Sequence, residues 1–319
     1  MRRSIRRTKP SGNITVSNAH IVILGFMGLL CIAAMFAPMF GASPATQAAP
    51  AEPSAWLLVI VGLVIGCYGT IVGIGGGPLI VPILIFFYGW DNEFLVATSL
   101  FVVFLNALSG SIGYAAQKRI DYSGGIKLSL AALPGAFLSG MIHNTFKVPM
   151  FDVFFGIFLL LLAVWLIVGA KKLEDTERRV PVKKFGNRHV AFTDSFGIPY
   201  DFYVNDKLGI YLNLALGFFV GFLGIGGGVF QVPIMLFLLL YPAHLATATS
   251  HFITATTCLF ALLPHIFYGN IMFASAMPIG IGVIVGAQIG ARLANKINSR
   301  VLIYLFVIVL VVFALELFL

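Results

Sequence analysis

Charge is what this sequence has least of. Only 10% of its 319 residues are Asp, Glu, Lys or Arg, while 59% are hydrophobic. An ordinary globular chain carries about 25% charged residues. Between Leu208 and Ala291 there is no charged residue at all. A soluble domain of that length does not stay uncharged, so repeated apolar runs of about 20 residues read as membrane spans. Cysteine is scarce too: Cys31, Cys67 and Cys258 all lie in apolar sequence and match neither a disulfide framework nor a zinc spacing. Carboxylates are nearly missing from the apolar segments, with Asp152 and Glu316 near segment ends. That removes the acid–base pair or metal cluster an integral-membrane enzyme needs, and the chain is read as no enzyme and as needing no cofactor. A proton-coupled mechanism would have to lean on histidine.

The net charge of +8 does not point to nucleic acid. Basic residues decorate cytoplasmic loops of membrane proteins, and here they do the same. The basic start "MRRSIRRTKP", the apolar stretch 21–37 and the small-residue run "FGASPATQAAP" fit a retained first helix better than a cleaved signal. Residues 1–54 are therefore read as a basic N-terminus, one transmembrane helix and an external linker.

Glycine, by contrast, is concentrated. "GTIVGIGGGPLIVP" spans 69–82 and "GFLGIGGGVFQVP" spans 221–233. Gly73, Gly75, Gly76 and Gly77 stand 151 positions before Gly224, Gly226, Gly227 and Gly228. The same offset carries "ATSLF" (97–101) onto "ATSHF" (248–252) and Gly135-Ala136 onto Gly286-Ala287. The chain thus reads as two homologous four-segment halves, 55–170 and 208–319, separated by a polar segment, 171–207. That segment is expected to be a cytoplasmic loop or small surface element.

Each half opens with an apolar segment of 33 to 34 residues interrupted at the glycines. One straight helix of that length would reach about 50 Å, beyond a hydrocarbon core of about 30 Å. If each broken segment returned to the side it entered from, every Lys and Arg except Lys147 would face the cytoplasm; if each crossed once, the bias would vanish. The expected fold is an all-α polytopic membrane protein of two inverted four-segment repeats, each opening with a broken re-entrant helix, plus one extra N-terminal helix. The N-terminus is placed in the cytoplasm and the C-terminus in the periplasm of a bacterial inner membrane.

The glycines are not a nucleotide loop, because no Lys follows them and no βαβ context surrounds them. In a membrane, bare backbone is tolerated where it lines a protein cavity. The free N–H groups that open the second arm of each broken helix, with the helix dipole, attract anions. Gly73, Gly75, Gly76, Gly77, Gly224, Gly226, Gly227 and Gly228 are therefore candidate substrate contacts. The competing reading is that they only permit close helix packing. Thr98, Ser99, Thr249 and Ser250 either donate to an oxyanion or cap a helix. Gln231 stands where the first half has Ile80, and His251 where it has Leu100, so both break the symmetry beside the second motif. His251 is the best-placed proton site. Asn106 and Thr257, and Tyr114 and His265, are equivalent positions that either share a path or hydrogen-bond between helices.

With these motifs the chain resembles the TauE/SafE family of sulfite exporter-like membrane permeases over residues 55–319. The resemblance implies a secondary transporter that exports a small anion, sulfite or an organosulfonate, by alternating access. An anion channel, or an uptake permease for thiosulfate or another small oxyanion, is the alternative. It also implies that Gly73 to Gly77, Thr98, Ser99, Gly224 to Gly228, Thr249 and Ser250 line the translocation region. The partners expected are the anion, coupled protons and the lipid bilayer, and a homodimer stays open.

Overall fold

The computed structural model describes residues 53–88, 92–142 and 186–297, with isolated positions between 157 and 164 and between 301 and 311. The expected first helix, the fourth segment of each half and the basic stretch 171–185 lie largely or wholly outside the described residues.

The first half contributes α1 (Ala55–Val72), α2 (Gly77–Tyr88), α3 (Asn92–Ala116) and α4 (Tyr122–Ile142). The second contributes α5 (Asp206–Leu223), α6 (Gly228–Pro233), α7 (Ala243–Tyr268) and α8 (Phe273–Leu293). A π-turn, Ile234–Leu238, prolongs α6, giving an apolar helix over Gly228–Leu238. The bounds of α1 and α5, and of α4 and α8, correspond residue for residue at the 151-residue offset. Among the described residues, four helices, Ala55–Val72, Glu93–Ala116, Ala243–Tyr268 and Phe273–Lys296, are long and apolar enough to cross a membrane.

The helices pack across the halves. α1 lies along α8, α5 lies along α4, and α3 lies against α7. Small residues make the first two pairs close. A Cβ on Gly66 of α1 would come 2.5 Å from the carbonyl oxygen of Val283, and one on Gly135 of α4 would come 2.6 Å from the Phe218 nitrogen. For these glycines close packing is the whole explanation. α3 and α7 form the interior: most of each is buried, while Trp56, Ile60 and Val64 on α1 and Ile281, Ile284 and Val285 on α8 are exposed. Exposed apolar side chains on outer helices are what a lipid-facing surface requires.

The polar segment departs from the all-α expectation. Residues Arg188–Thr193 (β1) and Pro199–Val204 (β2) pair as an antiparallel hairpin with Arg188 opposite Val204 and Thr193 opposite Pro199. The alternation of apolar and polar residues in "RHVAFT" and the aromatics of "PYDFYV" supply the strand pattern. At the turn Asp194 accepts the N–H of Phe196 and of Ile198, both at 2.9 Å. Gly197 takes the left-handed conformation there, with φ 82°.

The hairpin is pinned rather than loose. Arg119, after α3, donates to Asp194 at 3.0 Å, and both side chains are buried. Arg188 bridges Asp121, just before α4, at 2.6 Å and Asp206, at the start of α5, at 2.9 Å. Tyr241 donates to Asp121 at 2.7 Å, and Lys127 to Asp206 at 2.5 Å. Burial opposes the Asp194 charge, but the Ile198 and Phe196 N–H groups and the Arg119 guanidinium outweigh it and hold its carboxyl below the usual range. Burial also opposes the Arg188 charge, and the Asp121 and Asp206 carboxylates overcome it, so this guanidinium is held more firmly protonated than usual.

Candidate functional site

Helix α1 stops where Gly73 enters the left-handed region, with φ 94°, and α5 stops the same way at Gly224, with φ 69°. Gly75 and Gly226 repeat the pattern at 73° and 77°. These conformations cost an L-residue with a Cβ far more than glycine. The third pair differs: Gly76 has φ 83°, but Gly227 has φ −74°. The two breaks are similar without being identical.

The breaks meet each other. The Cα of Gly77 packs on the Ile225 backbone, and that of Gly228 packs on Ile74, its counterpart at the offset. Gly75 and Gly226 both face Val103 of α3 and Thr254 of α7. Among the described residues, none accepts the N–H of Gly75, Gly76 or Gly77, nor that of Gly226 or Gly228. Two clusters of unpaired donors, each opening an inner arm, therefore lie together between α3 and α7.

The four expected hydroxyl residues are all buried and close to this centre, and each has a specific bracing role. Ser99 Oγ lies 2.5 Å from the carbonyl of Gly224. Ser250 Oγ lies 2.8 Å from the carbonyl of Gly73. Each serine holds the break of the opposite half. The threonines do the same for α8 and α4. Thr98 Oγ1 accepts the Met272 N–H at the start of α8, and Thr249 Oγ1 accepts the Asp121 N–H at the start of α4, both at 3.1 Å. Of the two readings left open by the sequence, helix capping describes the threonines. The serines satisfy the carbonyls exposed where α1 and α5 end.

His251 is fully buried on α7. Its Nδ1 lies 3.3 Å from the Thr247 carbonyl, and its ring meets Tyr114 edge-on at 5.6 Å. Its Nε2 has no partner and faces Gly110 of α3. Gln231 is buried in the first turns of α6 with its Nε2 unpaired.

Two further residues belong to the centre. Asn106 of α3 is fully buried; its Oδ1 accepts from Thr70 at 3.1 Å, and its Nδ2 is unpaired. That nitrogen would lie 3.4 Å from a Cβ on Gly76 and 3.2 Å from one on Gly69. Thr254 of α7 is fully buried with an unpaired hydroxyl, which would lie 3.8 Å from a Cβ on Gly227. Thr257, the counterpart of Asn106, is not free in this way, because its hydroxyl bonds back to Ile253 O at 2.9 Å. Asn106 had a sequence signal in its paired position. Thr254 had only its helical spacing from His251, and its importance depends on which side of α7 faces the breaks.

The centre can bind a group rich in hydrogen-bond acceptors. It offers unpaired backbone N–H groups with the Asn106 amide and the Thr254 hydroxyl, and no Lys or Arg stands on α1, α2 or α6 or on the neighbouring lengths of α3 and α7.

The family model described as sulfite exporter TauE/SafE matches residues 13–166 and 93–317. YunE of Bacillus subtilis (strain 168), named a probable membrane transporter protein, is 30% identical over 82% of this chain and 96% of its own length. A protein of Methanocaldococcus jannaschii with the same description is 28% identical over 76% of this chain and 88% of its own. No solved structure matches the chain. The apolar helices and the extent of these matches identify a multi-pass membrane transporter, and the chain belongs to the TauE/SafE sulfite exporter family.

Proposed function

We propose that this protein is a secondary transporter that exports a small sulfur oxyanion, sulfite or an organosulfonate, across the bacterial cytoplasmic membrane. The observation that carries the reading is the meeting of the two glycine breaks, each offering unpaired N–H groups beside buried side-chain donors. Helix N-termini aimed at a shared point are an established way to hold an anion at mid-membrane. The family description supplies the sulfur oxyanion.

The two halves are read as inverted repeats, with the broken segments re-entrant and the hairpin on the cytoplasmic side. The Lys and Arg distribution supports this orientation, and so does the swapped pairing of α1 with α8 and α5 with α4. Alternating access then consists of one half rocking against the other about the glycine centre. An outward-moving monoanion gains about 2.3 kcal/mol per 100 mV of inside-negative potential. Export therefore needs no nucleotide.

The test is uptake of radiolabelled sulfite, sulfoacetate and thiosulfate into inverted vesicles containing the full chain. Saturable uptake of at least one is expected. Failure to move any of them would remove the assignment, and flux that does not saturate would indicate a channel. A reporter inserted within 180–200 should read cytoplasmic, and a periplasmic reading would overturn the inverted arrangement.

A further inference from the structure

Resting on the transport reading above, we infer that the β1–β2 hairpin is a strap across the seam between two helix bundles. It is fixed at its base and lets go at its tip each time the protein opens at that end.

Packing defines the bundles. α1 and α3 both lie on α8, and α5 and α7 both lie on α4. Each bundle so takes two of these helices from one half and one from the other, and the bundles meet along α3 and α7. The glycine breaks sit on this seam, where Gly75 and Gly226 face Val103 of α3 and Thr254 of α7. A motion that opens the centre to one side has to part the seam at that end.

The base of the hairpin holds the α4–α5–α7 bundle. Arg188 pairs with Asp121, just before α4, and with Asp206, at the start of α5. It also donates to the Tyr241 hydroxyl, ahead of α7, at 3.2 Å. The Asp206 N–H donates to Asn187 Oδ1 at 2.9 Å. Val190, Phe202 and Val204 are buried, and the Phe202 ring meets that of Tyr241 edge-on at 5.1 Å. The tip holds the α1–α3–α8 bundle. Asp194 pairs with Arg119, just after α3, and the Ser195 N–H donates to the Gln117 carbonyl at 3.0 Å. The Arg119 guanidinium lies 5.0 Å over the Phe196 ring. Arg119 and Gln117 reach on to the end of α8, through Asn295 Oδ1 and the Ala291 carbonyl.

The two ends of the strap differ in how readily they part. At the tip, Phe196 and Ile198 are 55% and 44% exposed, so release uncovers little apolar surface. Both charged partners keep a bond when separated. Asp194 still accepts the Phe196 and Ile198 N–H groups of its own turn, and Arg119 still donates to Asn295. A broken buried pair is costly mainly when it leaves a charge uncompensated, and here neither is left bare. The base lacks that freedom, because Arg188 shares two carboxylates and β2 runs directly into α5.

The opposite end of the seam lacks matching charges. At the 151-residue offset Arg119, Asp121 and Asp206 correspond to Asn270, Met272 and Ala55. An ionic strap of this kind therefore acts at one end. In the orientation proposed above that end is cytoplasmic, and release of the tip is the step that admits an anion for export.

The experiment uses the full chain with Lys118→Cys and Ser195→Cys, two exposed positions flanking the tip contact. Oxidation should join them, and failure to join would remove the contact the strap depends on. Once joined, the protein should lose more than about tenfold of its uptake of radiolabelled sulfite and thiosulfate, and a reducing agent should restore it. Each single-cysteine variant should be indifferent to the oxidant. Undiminished uptake by fully joined protein would overturn the inference. A second measurement needs no flux. Cys258 of α7 is fully buried beside Gly226. A membrane-impermeant thiol reagent is added to vesicles of both orientations, told apart by labelling of Ser195→Cys. Asp194→Asn keeps an acceptor oxygen for the turn but loses the charge. It should speed labelling of Cys258 about tenfold or more, from the hairpin side alone. Unchanged labelling, or an equal gain from both sides, would reduce the hairpin to a static clamp. If the wild type moves neither anion, the transport reading fails while the labelling still decides the strap.

Discussion

Replacing Gly77 with alanine should uncouple the two breaks while leaving both helices able to form. A Cβ on Gly77 would lie 2.7 Å from the Ile225 Cα and closer still to that residue's carbonyl. Carbon atoms rest at about 3.5–4.0 Å and the carbonyl contact is tighter still, so the breaks must part by more than about 1 Å. Ile225 cannot swing aside, because the obstacle is backbone. Overpacking of this kind costs ~1–3 kcal/mol. The Gly228→Ala change does the same from the other side, against Ile74. Because both variants push the same pair of breaks apart, their effects should be less than additive when combined. Gly269→Ala is the control: φ there is 70°, but nothing lies within 4 Å of the added methyl, so it costs only local backbone strain. Unfolding temperature in detergent and anion uptake in inverted vesicles are the two assays. Gly77→Ala should lower the melting point by a few degrees and reduce uptake more than tenfold, whereas Gly269→Ala should retain uptake. Wild-type uptake in Gly77→Ala would refute the meeting of the two breaks as the functional centre.

Other outcomes follow from the braces and the hairpin. Ser99→Ala and Ser250→Ala each strand a buried carbonyl and should destabilise by about 1–3 kcal/mol, by similar amounts, when unfolding is measured in detergent; a loss at only one site would contradict the paired bracing. Arg188→Gln leaves Asp121 and Asp206 without their shared guanidinium and should cost about 3 kcal/mol or somewhat less, given its partial exposure, with Asp121→Asn in the same chain restoring part of it. The Asp194 carboxyl is held below its unfolded-state pKa, so its contribution is fully present above about pH 4 and is lost as pH falls through the lowered folded value. Protease resistance of the 194–198 turn should accordingly stay level from neutral pH down to about pH 4 and decline below it. Arg119→Met should weaken that resistance at every pH above this range.

The parts of this protein legible from sequence were those governed by local rules or by counting. The glycine runs at 73–77 and 224–228 had to interrupt their apolar segments, and the uncharged run from Leu208 to Ala291 had to lie in a membrane. The hairpin was legible only in part. Its strands show apolar–polar alternation, but whether such a short pair forms depends on what holds it, and here that is Arg119 and Arg188 reaching carboxylates far away in the chain. The hydroxyl residues show the same limit. Thr98, Ser99, Thr249 and Ser250 could each donate to a ligand or satisfy backbone, and nothing adjacent to them in sequence decides which.

By itself, then, the sequence determined membrane residence, the 151-residue internal correspondence and the two helix breaks, because composition and glycine conformation act over a few residues. Only the tertiary structure decided that each half braces the other and that Asn106 and Thr254 join the centre. A hydrogen bond depends on where two atoms end up, and in this protein the partners of Ser99 and Ser250 lie in the opposite half of the chain.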